Sequence, residues 1–134
     1  MAEIAKAGIP SLCALTPDGN DRYSGDLFAG ETIAPGDACY IDGATSKVFR
    51  SLGAAATAPA KVRGWAAGSA KTGQAITLYT ATTFNYGAAL TPGAGYFVSG
   101  TNPGGLADAP STGGTGEIAF AIDATRIRVK TSAY

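Results

Sequence analysis

The sequence predicts a mainly β protein: a small β-barrel or β-sandwich-like body made of two related β units, preceded by an extended N-terminal arm. Three observations carry this. One phrase occurs twice, as Ile33-Ala34-Pro35-Gly36-Asp37-Ala38-Cys39-Tyr40-Ile41 and as Leu90-Thr91-Pro92-Gly93-Ala94-Gly95-Tyr96-Phe97-Val98. In each copy a proline fixes φ at the second turn position, a glycine supplies the reversal, and a strand-like apolar run follows. Second, the segment Val62–Ala67 is a weaker partner of Glu117–Ile122, and each half closes on a strand-like tail, Gln74–Tyr79 and Thr125–Lys130. Third, β-branched and aromatic clusters bounded by Gly, Pro or Asn recur along the chain. The two copies, about 29–79 and 86–131, are too few for a solenoid array and share one domain, 27–134.

Residues 1–26 read differently. Gly8, Pro10, Pro17, Gly19 and Gly25 punctuate them, yet Ile4, Ile9, Leu12, Cys13, Leu15 and Tyr23 are too many apolar groups for a tail that only floats. An arm of this kind adds to another chain's sheet edge, with Ile4, Ile9, Leu12 and Leu15 as its contacts. In the body, Leu27-Phe28, Cys39–Ile41, Val48-Phe49, Ile76–Tyr79, Tyr96–Val98 and Ile127–Val129 are the strand candidates. The last alternates, with Ile127 and Val129 on one face and Arg126, Arg128 and Lys130 on the other. Gly53–Ala60 has room for one helical turn, limited by Pro59. Gly100–Gly116, rich in Gly, Pro, Ser and Thr, reads as a long surface loop. Trp65, between glycine and alanines, reads as a core plug.

Composition implies a thin core. Of 134 residues 27 are alanine, whereas Leu, Ile, Val and Phe together number 24. Small domains of that kind draw stability from disulfides, metals or partners. Two cysteines allow one internal bridge at most and no metal set is visible, so association with partners is the expectation. Net charge is zero, but residues 1–42 carry seven acids against two bases and the remainder carries eight bases against three acids. This −5/+5 division suits head-to-tail complementarity between copies. No basic patch with interleaved aromatics points to nucleic acid. No apolar run is long enough to span a bilayer, and the first residues do not read as a signal peptide, so synthesis in the cytoplasm is the default.

Catalytic chemistry is poorly supported. Histidine is absent, which removes the commonest general base and metal ligand. Cys13 and Cys39 lack CxxC spacing and read as two reduced, buried thiols, with a bridge inside or between subunits as the alternative. Gly114–Ala119 fits GxGxxA but precedes a strand instead of opening a helix. Lys71-Thr72-Gly73 reads as a β-turn, and Asp18, Asp21 and Asp26 miss calcium-loop spacing. Asp108, Glu117 and Asp123 are the only acids of the basic part, with no aromatic platform beside them. The expectation is a protein that is not an enzyme and uses no cofactor.

Three stretches resemble a known family: Ala29–Gly43 (AGETIAPGDACYIDG), Gly87–Pro110 (GAALTPGAGYFVSGTNPGGLADAP) and Gly116–Val129 (GEIAFAIDATRIRV). Their PG-then-aromatic openings, GGL loop and closing strand are similar to the small head-decoration, or cement, proteins of tailed bacteriophages. The resemblance covers most of the body and little of residues 1–26. It implies a β body seated on the outer surface of the virion, bound to the major capsid protein, commonly as a trimer. On that reading the arm clamps neighbouring capsid subunits, and Tyr96, Phe97, Asn102, Pro103 and Leu106 are subunit contacts. The alternative from another class is a carbohydrate- or receptor-binding module, using the Gly100–Gly116 loop with Tyr86 and Asp108.

Overall fold

Pro35-Gly36 and Pro92-Gly93 reverse the chain in the same way. Gly36 and Gly93 sit at φ +81° and +84°, where side-chain-bearing residues are strained. The Gly36 amide donates to Ala66 O at 2.7 Å and the Gly93 amide to Ala121 O at 2.8 Å. Across each turn, Asp37 N reaches Ala34 O and Ala94 N reaches Thr91 O.

The computed structural model describes residues 3–12, 21–23 and 27–132. Its strands are β1 (Glu3–Ile4), β2 (Ser11–Leu12), β3 (Asp21–Tyr23), β4 (Ala38–Ile41), β5 (Val48–Arg50), β6 (Gly64–Ala66), β7 (Leu78–Asn85), β8 (Gly95–Val98), β9 (Leu106–Ala107), β10 (Glu117–Ala121) and β11 (Arg126–Val129). They form one antiparallel sheet, curled into a half-barrel, in the order β1-β9-β8-β10-β11-β7-β6-β4-β5, with β2 and β3 also paired to β7. The fold is therefore mainly β and barrel-like, as the turn and strand pattern predicts.

The pairing scheme repeats. After the first turn β4 pairs with β5 and β6, and β6 with β7; after the second, β8 pairs with β9 and β10, and β10 with β11. The registers agree too: Trp65 lies opposite Ala38 and Tyr79, while Phe120 lies opposite Gly95 and Arg128. The two sets join where β7 and β11 pair from Asn85↔Arg126 to Thr82↔Val129.

Two apolar clusters fill the body. In the smaller, Ala29, Ile33, Cys39, Val48, Ala66, Ala70, Ile76 and Leu78 cover one face of β4–β6. The larger holds Phe84, Tyr86, Tyr96, Leu106, Ile118, Ile127 and others of the second half, together with Ala38, Val62 and Trp65 from the first. The strands β4–β6 of the first half are thus covered on both faces, and Trp65 is the largest of the three buried first-half side chains that reach the second half's core. It is fully buried, its indole Nε1 donates to Lys130 O at 3.0 Å, and its ring lies 6.3 Å from that of Phe84.

Some expectations are corrected. The first tail is not a strand over 74–79: β7 begins at Leu78 and runs to Asn85, because Ala75 bridges to Phe28 and Ile76 N to Leu27 O as part of the cover over the smaller cluster. The one helical turn expected in Gly53–Ala60 is present, as a 3-10 turn at Ala58–Ala60. Gly100–Gly116 is not a loose surface loop. It contains β9, and its Gly113 lies so close to the backbone of Ala55 that an added Cβ would sit 1.9 Å from that carbonyl oxygen. Hydrogen bonds Gly53 N→Ser99 O, Gly113 N→Gly53 O and Gly104 N→Ser51 O lock the two halves' loops together.

The paired turns allow a test of how the N-terminal segment is seated. An alanine at Gly93 would meet nothing within 4 Å, whereas a Cβ on Gly36 would lie 2.6 Å from Pro10 Cγ. Gly93→Ala should therefore cost only the left-handed strain, about 1–2 kcal/mol. Gly36→Ala should lose about 1 kcal/mol more, because it also unseats Pro10. Urea midpoints measure the difference; equal losses would mean that Pro10 is not held there.

Candidate interaction surfaces

The N-terminal segment lies on its own body. Ile4 pairs with Leu106 and Leu12 with Phe84, so both side chains pack against the larger cluster, half-buried. Glu3 accepts a hydrogen bond from Ser99 Oγ, Ala7 N donates to Tyr86 O at 2.8 Å, and Asn85 Nδ2 donates to Ser11 Oγ at 3.1 Å. Lys6 Nζ is 2.5 Å from Asp37 Oδ1 and donates to Pro35 O at 3.0 Å. Among the described arm residues named from sequence, Ile9 is the strongly exposed one, at 80%. Leu15 and Cys13 lie outside the described residues.

The expected subunit contacts divide. Tyr96 and Leu106 are buried in the larger cluster, so their side chains are not available to a partner; alternation along β8 turns Tyr96 inward, while both residues of β9 are buried. Phe97 faces out and is half-buried, and Asn102 and Pro103 are exposed. Phe120, opposite Gly95 on β8, shares the outer face with Phe97 and is 38% exposed, and Ile122, just past the end of β10, is 39% exposed. Simple alternation in Glu117–Ile122 does not reveal them. A register shift between Glu117 and Ala119 sends both Ile118 and Ala119 inward and leaves Phe120 outside.

The alternative ligand platform does not assemble as expected. Tyr86 is buried in the core, where burial, then the charges of Asp37 and Glu3, push its hydroxyl pKa up; Asp108 is exposed. Two open grooves flank the N-terminal strand. One, about 580 Å³, reaches Ala88–Thr91 and Asp108; the other, about 410 Å³, reaches Asp37, Arg50 and Asn102. A third, about 560 Å³, lies on the first half, among Tyr23, Tyr40, Lys61 and Arg63.

Carboxylates mostly act as local clasps. Glu31 bonds Arg50 N and its guanidinium, Asp42 caps Thr45, and Asp123 accepts from Thr125 N, Arg126 N and Arg126 Nε. These bonds, that from the Thr125 amide first, lower the Asp123 pKa to about 2 from 3.8. A depressed carboxyl favours the folded turn above the unfolded value, an advantage lost as pH falls through about 2. Cys39 is a free, buried thiol whose pKa is raised chiefly by burial, which keeps it protonated. Among the described residues no group of three or more Cys, Asp or Glu side chains is placed to hold a metal ion, and no helix is long and apolar enough to cross a membrane.

Comparison with family models, curated proteins and solved structures finds no match to this chain.

Proposed function

We propose that the protein is a decoration protein of a tailed-phage head, bound to the outer face of the mature capsid and clamping neighbouring major capsid protein subunits. The observation that carries this reading is the outward display of large apolar side chains on a small β body of paired strands. Ile9 stands out from the anchored N-terminal segment, Phe120 from the outer face of β10 and Ile122 from the segment just after it. Apolar groups held outward on a scaffold of paired strands suit adhesion. The acids at positions 3, 31, 37, 42 and 123 are engaged in the protein's own hydrogen bonds and ion pairs.

In this reading self-association, with a trimer favoured, uses Phe97, Asn102 and Pro103, and neither a cofactor, nucleic acid nor a membrane takes part. Binding only the mature lattice stabilises it by mass action, and many modest contacts sum over the shell. The arm contributes through Ile9, since Ile4 and Leu12 are committed to the protein's own core. Deleting the segment would expose that core, so point substitutions are the cleaner probe.

The test is co-sedimentation of the full chain with undecorated, expanded phage capsids, beside Ile9→Glu and Phe120→Glu. Burying one such side chain contributes about 1.5–3 kcal/mol, so each substitution should weaken binding about tenfold or more. Failure of the full-length protein to sediment with capsids, at concentrations where it is folded, would overturn the reading.

A further inference from the structure

We propose that the groove on the first half binds an acidic carbohydrate. Separate stretches of chain converge on it: β3 brings Tyr23, β4 brings Tyr40, the lead-in to β6 brings Lys61 and Arg63, β7 brings Thr80, and the segment after β11 brings Thr131. The cavity, about 560 Å³, is within the size of small-ligand sites. Its lining holds two cations, two phenols and two threonines and, among the described residues, no carboxylate. The nearby Asp42 carboxylate is turned to Thr45, accepting from its amide and hydroxyl, although its charge still reaches Tyr40.

Both rings are fixed before any ligand arrives. Tyr23 Oη donates to Arg63 O at 3.0 Å, and Tyr40 stacks on Phe49 with centroids 6.0 Å apart and planes at 29°. Lys61 and Arg63 flank the fully buried Val62, so alternation turns both toward the groove. Each part matches a part of one ligand class. A tyrosine ring packs on the C–H face of a pyranose, threonine hydroxyls pair with sugar hydroxyls, and a guanidinium takes a carboxylate through paired N–H bonds. Pre-positioned rings also lower the ordering cost of binding.

Other anions fit less well. Nucleic acid draws its affinity from many phosphate contacts along a stripe, and only two cations line this groove. An acidic peptide would want apolar anchors, for which the lining offers little beyond Ile41 and Ala58. The site lies apart from Ile9, Phe120 and Ile122 and does not depend on the capsid reading.

The experiment is calorimetric titration of the full chain with a panel of acidic oligosaccharides (oligogalacturonate, sialyllactose and a heparin hexasaccharide), with methyl-esterified oligogalacturonate and polyglutamate as controls. At least one acidic sugar should bind. Its neutral counterpart, made by esterification or desialylation or desulfation, should bind about tenfold weaker or less, as should the Arg63→Gln variant to the acidic form. Tyr40→Ala should lose a similar factor, and because Arg63 is exposed, Arg63→Gln keeps the wild-type melting temperature. Binding by none of the sugars, undiminished binding to Arg63→Gln, or polyglutamate binding as tightly as any sugar would each overturn the proposal.

Discussion

Trp65→Ala should come close to unfolding this protein. Removing a fully buried tryptophan costs about 3–5 kcal/mol, against a total stability of about 5–15 kcal/mol for a domain. The alanine-rich composition places this chain toward the lower end of that range. Trp65 also occupies the seam. It leaves β6 on the first half, packs against Phe84 and the second half's core, and gives its indole hydrogen bond to Lys130 O. Its loss opens a cavity that neither half can close alone and leaves that carbonyl without the indole donor. The melting temperature should fall by about 10–20 °C. Phe120→Ala is the internal control, because Phe120 holds the equivalent pairing position yet is 38% exposed, and it should cost about 1 kcal/mol or less. Thermal unfolding followed by circular dichroism decides it. A Trp65→Ala protein that melts within a few degrees of the parent, or no better than Phe120→Ala, would refute the seam.

That contrast also marks how far the sequence could be read. The repeated PG phrase locates both turns and the strands that follow them because the φ requirements of proline and glycine are local. Matching Val62–Ala67 with Glu117–Ile122 sets Trp65 against Phe120, and the strand pairings give the two residues the same place. The glycine and alanines around Trp65 mark it as a core plug, but nothing local says that Phe120 is left outside. That difference depends on the first half's strands being covered on both faces, which arises from contact between segments far apart in sequence. Gly100–Gly116 reads as a loop for the same reason: its glycines permit the close backbone approach at Ala55, but the partner lies nearly sixty residues away. The candidate surfaces were partly legible. Ile9 is visible as an apolar residue among turn formers, whereas the exposure of Phe120 depends on a bulge. The Tyr23–Tyr40–Arg63 groove exists only once β3, β4 and β6 are brought together around β7.

Lys6→Met should release the N-terminal segment without unfolding the body. Asp37 is 4% exposed; one carboxylate oxygen meets Lys6 Nζ at 2.5 Å and the other accepts from Ala34 N at 2.9 Å. Breaking a buried pair by removing one partner typically costs about 3–5 kcal/mol, because the remaining charge stays desolvated. The Lys6 side chain is 26% exposed, so water can reach the vacated place and a loss of about 2–3 kcal/mol is expected. Much of that loss should be local, since Asp37 can regain water once residues 3–12 lift away. The Ala7 amide, bonded to Tyr86 O, should then exchange with solvent far faster, while Ala66, bonded to Asp37 O within the paired sheet, keeps most of its protection. In Lys6→Met/Asp37→Asn the second substitution should cost less than it does alone, with a coupling of about 1 kcal/mol or more. Additive losses would reduce the ion pair to a surface contact. Equal deprotection of Ala7 and Ala66 would mean that the segment and the body unfold as one unit, with Ile9 held in place only while the whole domain is folded.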